Sequence, residues 1–529
     1  MLDLLIENAT VYDGLGGPPR EEAVGVRDGR IALVGEPPAD VQAKERLDAR
    51  GLALCPGFID THASTGLGYL VPDASDNKLF QGVTTEVIGN CGTSDAPVGP
   101  HHRDTVTATC DAMGVPHGWE TLAQWKERLA DYGLPINVAS YVGHGTLRAG
   151  YSADPSSVTS DELSAMKEAL ATALQQGATG LATGLVYAPG SFADTDEIVE
   201  LAKIAAAHGR TYASHMRNER EGLEAAVEET IEIGRRAELP VLISHLKAAE
   251  RPNWGKIPPT IERVEQARRE GVDVAFEVYP YTAVSTRLRT FLPKDILEEG
   301  IDGLRQRLEE ETWQQRSMAW LDGRETAYET MTLVTESLPG TQGKSVATVA
   351  ENRGTSGAQT VVDVLRADPE AWIVYDCLSP DDLDAAVLSP LANIISDSWS
   401  YPWNAPVQIG DPHPRTFGAF ARFLERYAVS GRLPFEEAVR KITSLPAQRM
   451  GFNDRGRIAT GHAADLVLLD PAGVAEMSTF AKPRQFAKGV EKVWVNGELV
   501  VADGAVGDAR PGHFLSGQRS EGQRSGAGA

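Results

Sequence analysis

Cysteine is scarce. Four residues, Cys55, Cys91, Cys110 and Cys377, are scattered through 529 positions, which excludes a disulfide framework and fits a reducing cytoplasm. Long apolar runs are missing as well. No stretch approaches the roughly 20 apolar residues that a membrane helix needs. Residues 1–8 have neither the basic start nor the sustained apolar core of a secretory signal. Basic residues are outnumbered, 50 Lys and Arg against 74 Asp and Glu, for a net charge of -24. A surface that acidic disfavours nucleic acid and anionic membrane, both polyanions. The expectation is a soluble, cytoplasmic protein with a small-molecule substrate and no nucleic-acid or membrane partner. Oligomeric state is left open.

What is present is enough apolar residue, 42%, to bury a large core, in a length that allows two to four domains. Residues 1–55 read as short strands punctuated by Asp13-Gly14 and Asp28-Gly29 turns, and 452–514 echo them with apolar runs at 464–470 and 490–497. One small β domain built from both ends is predicted. Between them, 56–451 alternates strand and helix. Thr159 and Glu162 form a capping box for a helix through about 176, and apolar strands follow at 211–215, 240–245 and 272–279. Repeated βα units argue for a parallel barrel or a doubly wound sheet. The segment 286–344 breaks the rhythm and is predicted to be an inserted lid. The tail, 515–529, is Ser, Gly, Gln and Arg with little to bury, and is predicted to be disordered.

The chemistry gathers at strand ends, where a barrel places its catalytic side chains. His215 and His245 each close an apolar strand, about one βα repeat apart. Cys91 follows the strand 84–90. A thiolate with two neutral imidazoles makes a three-ligand zinc set with one coordination position open for water. Asp397 ends a further strand, placed as ligand, general base, or both. Singly, each has a plainer explanation. A lone cysteine is more often a small buried hydrophobe, and Lys247 or Arg415 alone is more often a solvent-exposed charge. Four such residues, each at a strand end, are harder to explain apart from a common site.

The chain resembles the amidohydrolase superfamily, and within it the N-acyl-D-amino-acid deacylase (D-aminoacylase) group. The matching words are Asn8-Ala-Thr-Val-Tyr-Asp-Gly14, Pro56-Gly-Phe-Ile-Asp60, Gln81-Gly-Val-Thr-Thr85, Gly89-Asn-Cys-Gly92, Gly143-His-Gly-Thr-Leu-Arg148, Ser244-His-Leu-Lys247, Tyr279-Pro-Tyr281, Ser396-Asp397 and His413-Pro-Arg415. The resemblance implies an α/β fold: a TIM-like (β/α)₈ barrel with a β-sandwich from both termini and a mobile inserted lid. It implies that Cys91, His215 and His245 hold a tight zinc, and that His62, position 64 and Asp397 hold or approach a second metal. This group usually carries His-x-His where the chain has His62-Ala63-Ser64. A serine hydroxyl is a poor zinc ligand beside imidazole or thiolate, so one tight zinc and a weak or absent second metal are expected. His62 is then either a ligand or a hydrogen-bond donor. The resemblance further implies that Asp397 handles the proton of the attacking water and that Arg415 pairs with a substrate α-carboxylate. Tyr281, Ser285 and Lys247 would help to hold that carboxylate, and His144 would orient the substrate. The activity implied is hydrolysis of an N-acyl-D-amino acid or related D-peptide. Two alternatives stay open: the same fold and zinc on another C–N or ester bond, such as a cyclic imide, hydantoin, lactone or natural-product intermediate, which Ser64 keeps alive, or an inactive ligand-binding homologue, against which the intact Cys91, His215, His245 and Asp397 weigh.

Overall fold

The apolar runs in the middle of the chain become eight short parallel strands, with every residue in them buried. In the computed structural model, which describes residues 1–72, 74–297, 300–324, 326–334, 336–403 and 411–517, they are β1 (Phe58–Asp60), β2 (Val83–Ile88), β3 (Asn137–Gly143), β4 (Gly180–Gly184), β5 (Thr211–His215), β6 (Val241–Ile243), β7 (Val274–Val278) and β8 (Ala392–Ile394). Each pairs with its neighbour in chain order. That order is a barrel's; a doubly wound sheet would reorder its strands about a switch point. Helices such as Ser160–Gln175, opened by the Thr159–Glu162 capping box, alternate with the strands.

Side chains along a strand alternate between faces, and the inward set is small. Ile59, Val87, Ala139, Tyr141, Ala182, Ala213, Leu242 and Ala275 form one interior cluster, plugged by Ala447, Met450 and Phe452. The same period carries two polar side chains up that interior: His215 after Ala213, and Glu277 after Ala275.

The barrel is closed at one seam by side chains. Among the described residues no backbone ladder joins β1 to β8. Instead the Asp60 carboxylate accepts from the Ser396 backbone N–H at 3.1 Å and the Ser396 hydroxyl at 2.5 Å. Lys78 Nζ, fully buried, lies 2.6 Å from Asp60 and 2.7 Å from Glu86 on β2. Burial works against the Lys78 charge, but the Asp60 and Glu86 carboxylates outweigh it and raise its pKa.

Strands from both termini share one nine-stranded sheet, joined where Ala53–Pro56 runs antiparallel to Leu466–Leu469. The insertion between β7 and β8 is wider than 286–344. It contains a three-stranded sheet of Ala283–Arg287, Met331–Leu333 and Trp372–Asp376, with helices including Glu311–Asp322 and Gly357–Ala367. The tail reading needs a correction at its start. Leu515 donates its N–H to the Val138 carbonyl at 2.7 Å and packs on the barrel plug, because its apolar side chain has a surface to cover there. Residues 518–529 lie outside the described residues. No helix among the described residues is long and apolar enough to cross a membrane.

Lys78→Met strands two buried carboxylates, and the expected loss is about 3–5 kcal/mol of unfolding free energy, read from urea titration. Glu86→Gln in the same chain should return part of it. Lys441 gives a pH test. Burial brings its pKa down to about 7, although its ammonium donates to the Ser389 carbonyl. The unfolded chain therefore binds more protons between about pH 7 and 10.5, and stability rises with pH across that window. Lys441→Met should raise the melting temperature more at about pH 6 than at about pH 9.

Candidate metal centre

The strand ends at the barrel mouth bring a thiol and three imidazoles together. Cys91 Sγ lies 3.2 Å from His62 Nε2, 3.4 Å from His215 Nδ1 and 3.4 Å from His245 Nε2. Asp397 Oδ1 stands 3.5 Å from His62 Nε2. Donor atoms of His62, Cys91, His245 and Asp397 all fall within 4.8 Å of one another, and His215, Glu219 and His245 make a second such group. The structure thus brings His62 and Asp397 into the same cluster as Cys91 and His245. Ser64 does not join them. It is exposed on the wall of the cavity above, while residues 61–63 are buried.

Three of these residues hold left-handed backbone: Cys91 at φ 54°, His245 at φ 34° and Asp397 at φ 50°. Such conformations cost a non-glycine residue about 1–3 kcal/mol and cluster at functional sites. The loop at Cys91 also presses on β4. A Cβ on Gly92 would meet Gly184 N at 2.6 Å, so the Gly-Asn-Cys-Gly word includes the one residue type that fits there.

Two carboxylates fix the rings from behind, Glu277 fully buried and Glu219 partly so. Glu277 Oε2 accepts from His62 Nδ1 at 2.7 Å, and Thr61 donates to its other oxygen. Glu219 Oε1 lies 3.0 Å from His245 Nδ1, with its other oxygen 3.6 Å from His215 Nε2. Lys247 Nζ contacts both Glu219 and His245 Nδ1 at 2.6 Å. A histidine that ligates metal commonly donates its second ring N–H to a carboxylate. His62 Nδ1 is engaged in this way with Glu277, His245 Nδ1 lies against both Lys247 and Glu219, and both rings turn Nε2 toward Cys91. A soft thiol, imidazoles and a carboxylate form a donor set suited to zinc, and the residues fit such an ion.

Charge is strongly organised here. Burial opposes ionisation of the Cys91 thiol, but His62 and His245 bring its pKa down to about 7. Burial holds His215 at about 4, the neutral form that a metal ligand requires. Desolvation works against the Asp397 charge, though the side chain is only partly buried, yet Arg415, with Nη1 2.9 Å from Oδ2, and His245 pull its pKa down to about 2.

A cavity of about 1530 Å³ opens above the cluster, and Ser64, Lys247, Ser285 and Arg415 all line it. Two expected substrate contacts are placed elsewhere. Tyr281 is buried with its hydroxyl 2.6 Å from Glu476, and Tyr279, two residues earlier, lines the cavity under the Arg415 guanidinium at 4.6 Å. His144 is buried against Glu197 at 2.7 Å, off the cavity wall, beside Arg148 on the same carboxylate. Sequence reasoning missed Glu219, Glu277, Tyr279 and Tyr187, which lines the cavity with its ring 4.9 Å from His215. Glu277 had a signal, an acid within an otherwise apolar strand.

The Amidohydrolase family model matches residues 45–501. The chain belongs to the amidohydrolase family. It is 37% identical over 518 residues to the N-acyl-D-glutamate deacylase of Alcaligenes xylosoxydans xylosoxydans, covering 97% of this chain and 96% of that protein. The crystal structure of N-acyl-D-glutamate deacylase from Bordetella bronchiseptica, complexed with zinc and a phosphonate inhibitor, superposes with a TM-score of 0.83 at 33% identity, covering 97% and 99% of the two chains. A D-aminoacylase structure concerned with a binuclear metal centre gives 0.82 at 33% identity, covering 98% and 100%. Within the family the chain sits in the N-acyl-D-amino-acid deacylase group, and it is a hydrolase of carbon–nitrogen bonds other than peptide bonds.

Glu277→Gln, which keeps the shape and removes the charge behind His62, should weaken divalent-metal binding about 10–100-fold. Competition against a chromogenic chelator measures it.

Proposed function

We propose that this amidohydrolase cleaves the amide of N-acyl-D-amino acids, with zinc held by Cys91, His215 and His245 and approached by His62 and Asp397. The observation that carries the reading is the shared cavity. Cys91, His215 and His245 line it together with Lys247, Ser285 and Arg415, three side chains whose chemistry suits a carboxylate. When bound there, zinc supplies a polarising charge for the acyl carbonyl and for water. The chain's own groups do the rest. Arg415 presents a planar fork suited to an α-carboxylate, and Lys247 and Ser285 complete the cradle. Asp397, ionised and beside both cluster and cradle, accepts the proton of the attacking water and returns it to the leaving nitrogen. The preference for the D-enantiomer rests on likeness to the relatives named above.

Ser64 favours a single tight zinc, since it offers no imidazole where the group usually has one. It also favours a second reading, in which the same residues open another C–N bond such as that of a hydantoin or cyclic imide.

Metal analysis beside an activity panel tests both. The expected outcome is about one zinc per chain, lost in Cys91→Ala, with N-acetyl-D-amino acids cleaved in preference to their L-enantiomers. Ser64→His should add a second, weaker metal. Cleavage of hydantoins but of no N-acyl amino acid would move the second reading to the front. Protein that takes up no zinc would sink both.

A further inference from the structure

The cavity is larger than a simple N-acetyl substrate requires. At about 1530 Å³ it exceeds the roughly 300–1,000 Å³ of pockets that enclose drug-sized ligands. Its carboxylate-binding groups follow β6, β7 and β8, and strand order puts β2 across the mouth from β6. On that opposite side the wall changes character. Leu67, Val106, Met113 and Trp119 line it. Val106 lies on the helix Arg103–Ala112 and Met113 is its C-cap residue, so the two share one face about 10 Å apart along the axis. Trp119 is anchored from behind, its ring 4.3 Å from that of Trp125 and its Nε1–H spent on the Asp95 carbonyl at 2.8 Å.

Polar groups share this wall, Ser94, Asp95, His102 and Thr109 among them, and its one carboxylate is committed to the protein. The Asp95 carboxylate accepts from the Thr65 hydroxyl at 2.6 Å and the Gly66 N–H at 2.7 Å, and burial raises its pKa to about 6. Burial also lowers the His102 pKa, favouring the neutral ring. Ser64, small and exposed, also lines the cavity, where an imidazole would take up more of its space.

We propose that this wall, from Ser64 past Leu67 to Val106, Met113 and Trp119, is an acyl-chain subsite, and that the enzyme's preferred substrates carry a medium-length apolar acyl group in place of acetyl. The proposal rests on the deacylase reading above. With the carboxylate held at Arg415 and Lys247 and the scissile carbonyl over Cys91 and His245, the acyl chain leaves in the direction of β2. Leu67, Val106, Met113 and Trp119 meet it there, so each methylene buried against them adds to binding.

The test uses full-length, zinc-loaded enzyme with N-acetyl, N-butyryl and N-octanoyl forms of one D-amino acid. kcat/KM is expected to rise about fourfold per added methylene. Val106→Trp and Met113→Trp should each cut the octanoyl-to-acetyl ratio at least about tenfold, a ratio indifferent to the fraction of protein folded. A flat series, or a ratio that neither variant moves, overturns the subsite. If no N-acyl-D-amino acid of any length is cleaved, the deacylase reading fails by itself, and the subsite is judged by calorimetry with octanoate against acetate. Octanoate binding at least about a hundredfold tighter, with the advantage lost in Val106→Trp, upholds it; equal binding overturns it.

Discussion

A thiol and three imidazole rings stand at the barrel mouth because carboxylates behind them hold the rings in place. Glu277 grips His62 at 2.7 Å and Glu219 faces His245 at 3.0 Å, and each leaves Nε2 turned toward Cys91. Burying a carboxylate is costly unless it is paired and hydrogen-bonded. Here the cost is offset by the histidines themselves, with Thr61 and Lys247 completing the shells. The rings and the acids are therefore one unit, and neither half is stable in this geometry without the other. The cavity, the carboxylate cradle and the left-handed turns at Cys91, His245 and Asp397 are arranged around it.

That unit needs a rigid ring of strands beneath it, and the barrel gives one with an unusual closure. Asp60 and Lys78 tie β1, β2 and the segment after β8 together through side chains, one residue before the Thr61-His62 pair that meets Glu277. The seam and the cluster are adjacent along β1. A loosened seam would reach His62 first, so the stability of the seam and the geometry of the cluster are coupled at this corner of the fold.

The sequence disclosed what local pattern can encode. Apolar runs ending in His215, His245, Cys91 and Asp397 marked strand ends, and the repeat length marked βα units. The partners behind the ligands were less legible. Glu219 lies in a loop after β5, and only folding brings it beneath His245. Glu277 was visible as an acid in an apolar strand, yet its direction depends on which face of β7 points inward, a property of the closed barrel. The choice between Tyr279 and Tyr281 had the same source. Two tyrosines, two residues apart in an irregular turn, cannot be assigned to cavity or core by period alone. The insertion was found by its broken rhythm, but its edges were underestimated because strands Ala283–Arg287 and Trp372–Asp376 pair across a long stretch of chain.

The nine-stranded sheet has a consequence for how the molecule is made. The strand Ala53–Pro56, which leads directly into β1, pairs with Leu466–Leu469, and Leu515 covers the barrel floor beside Met450 and Phe452. The strand that leads into β1, and so to His62, is thus held by chain remote from it in sequence. That pairing joins segments far apart in the chain, so it closes only through a long loop, the slow kind of contact to form. Leu466–Leu469 acts in this sense as a latch on the strand that leads to the cluster at the barrel mouth.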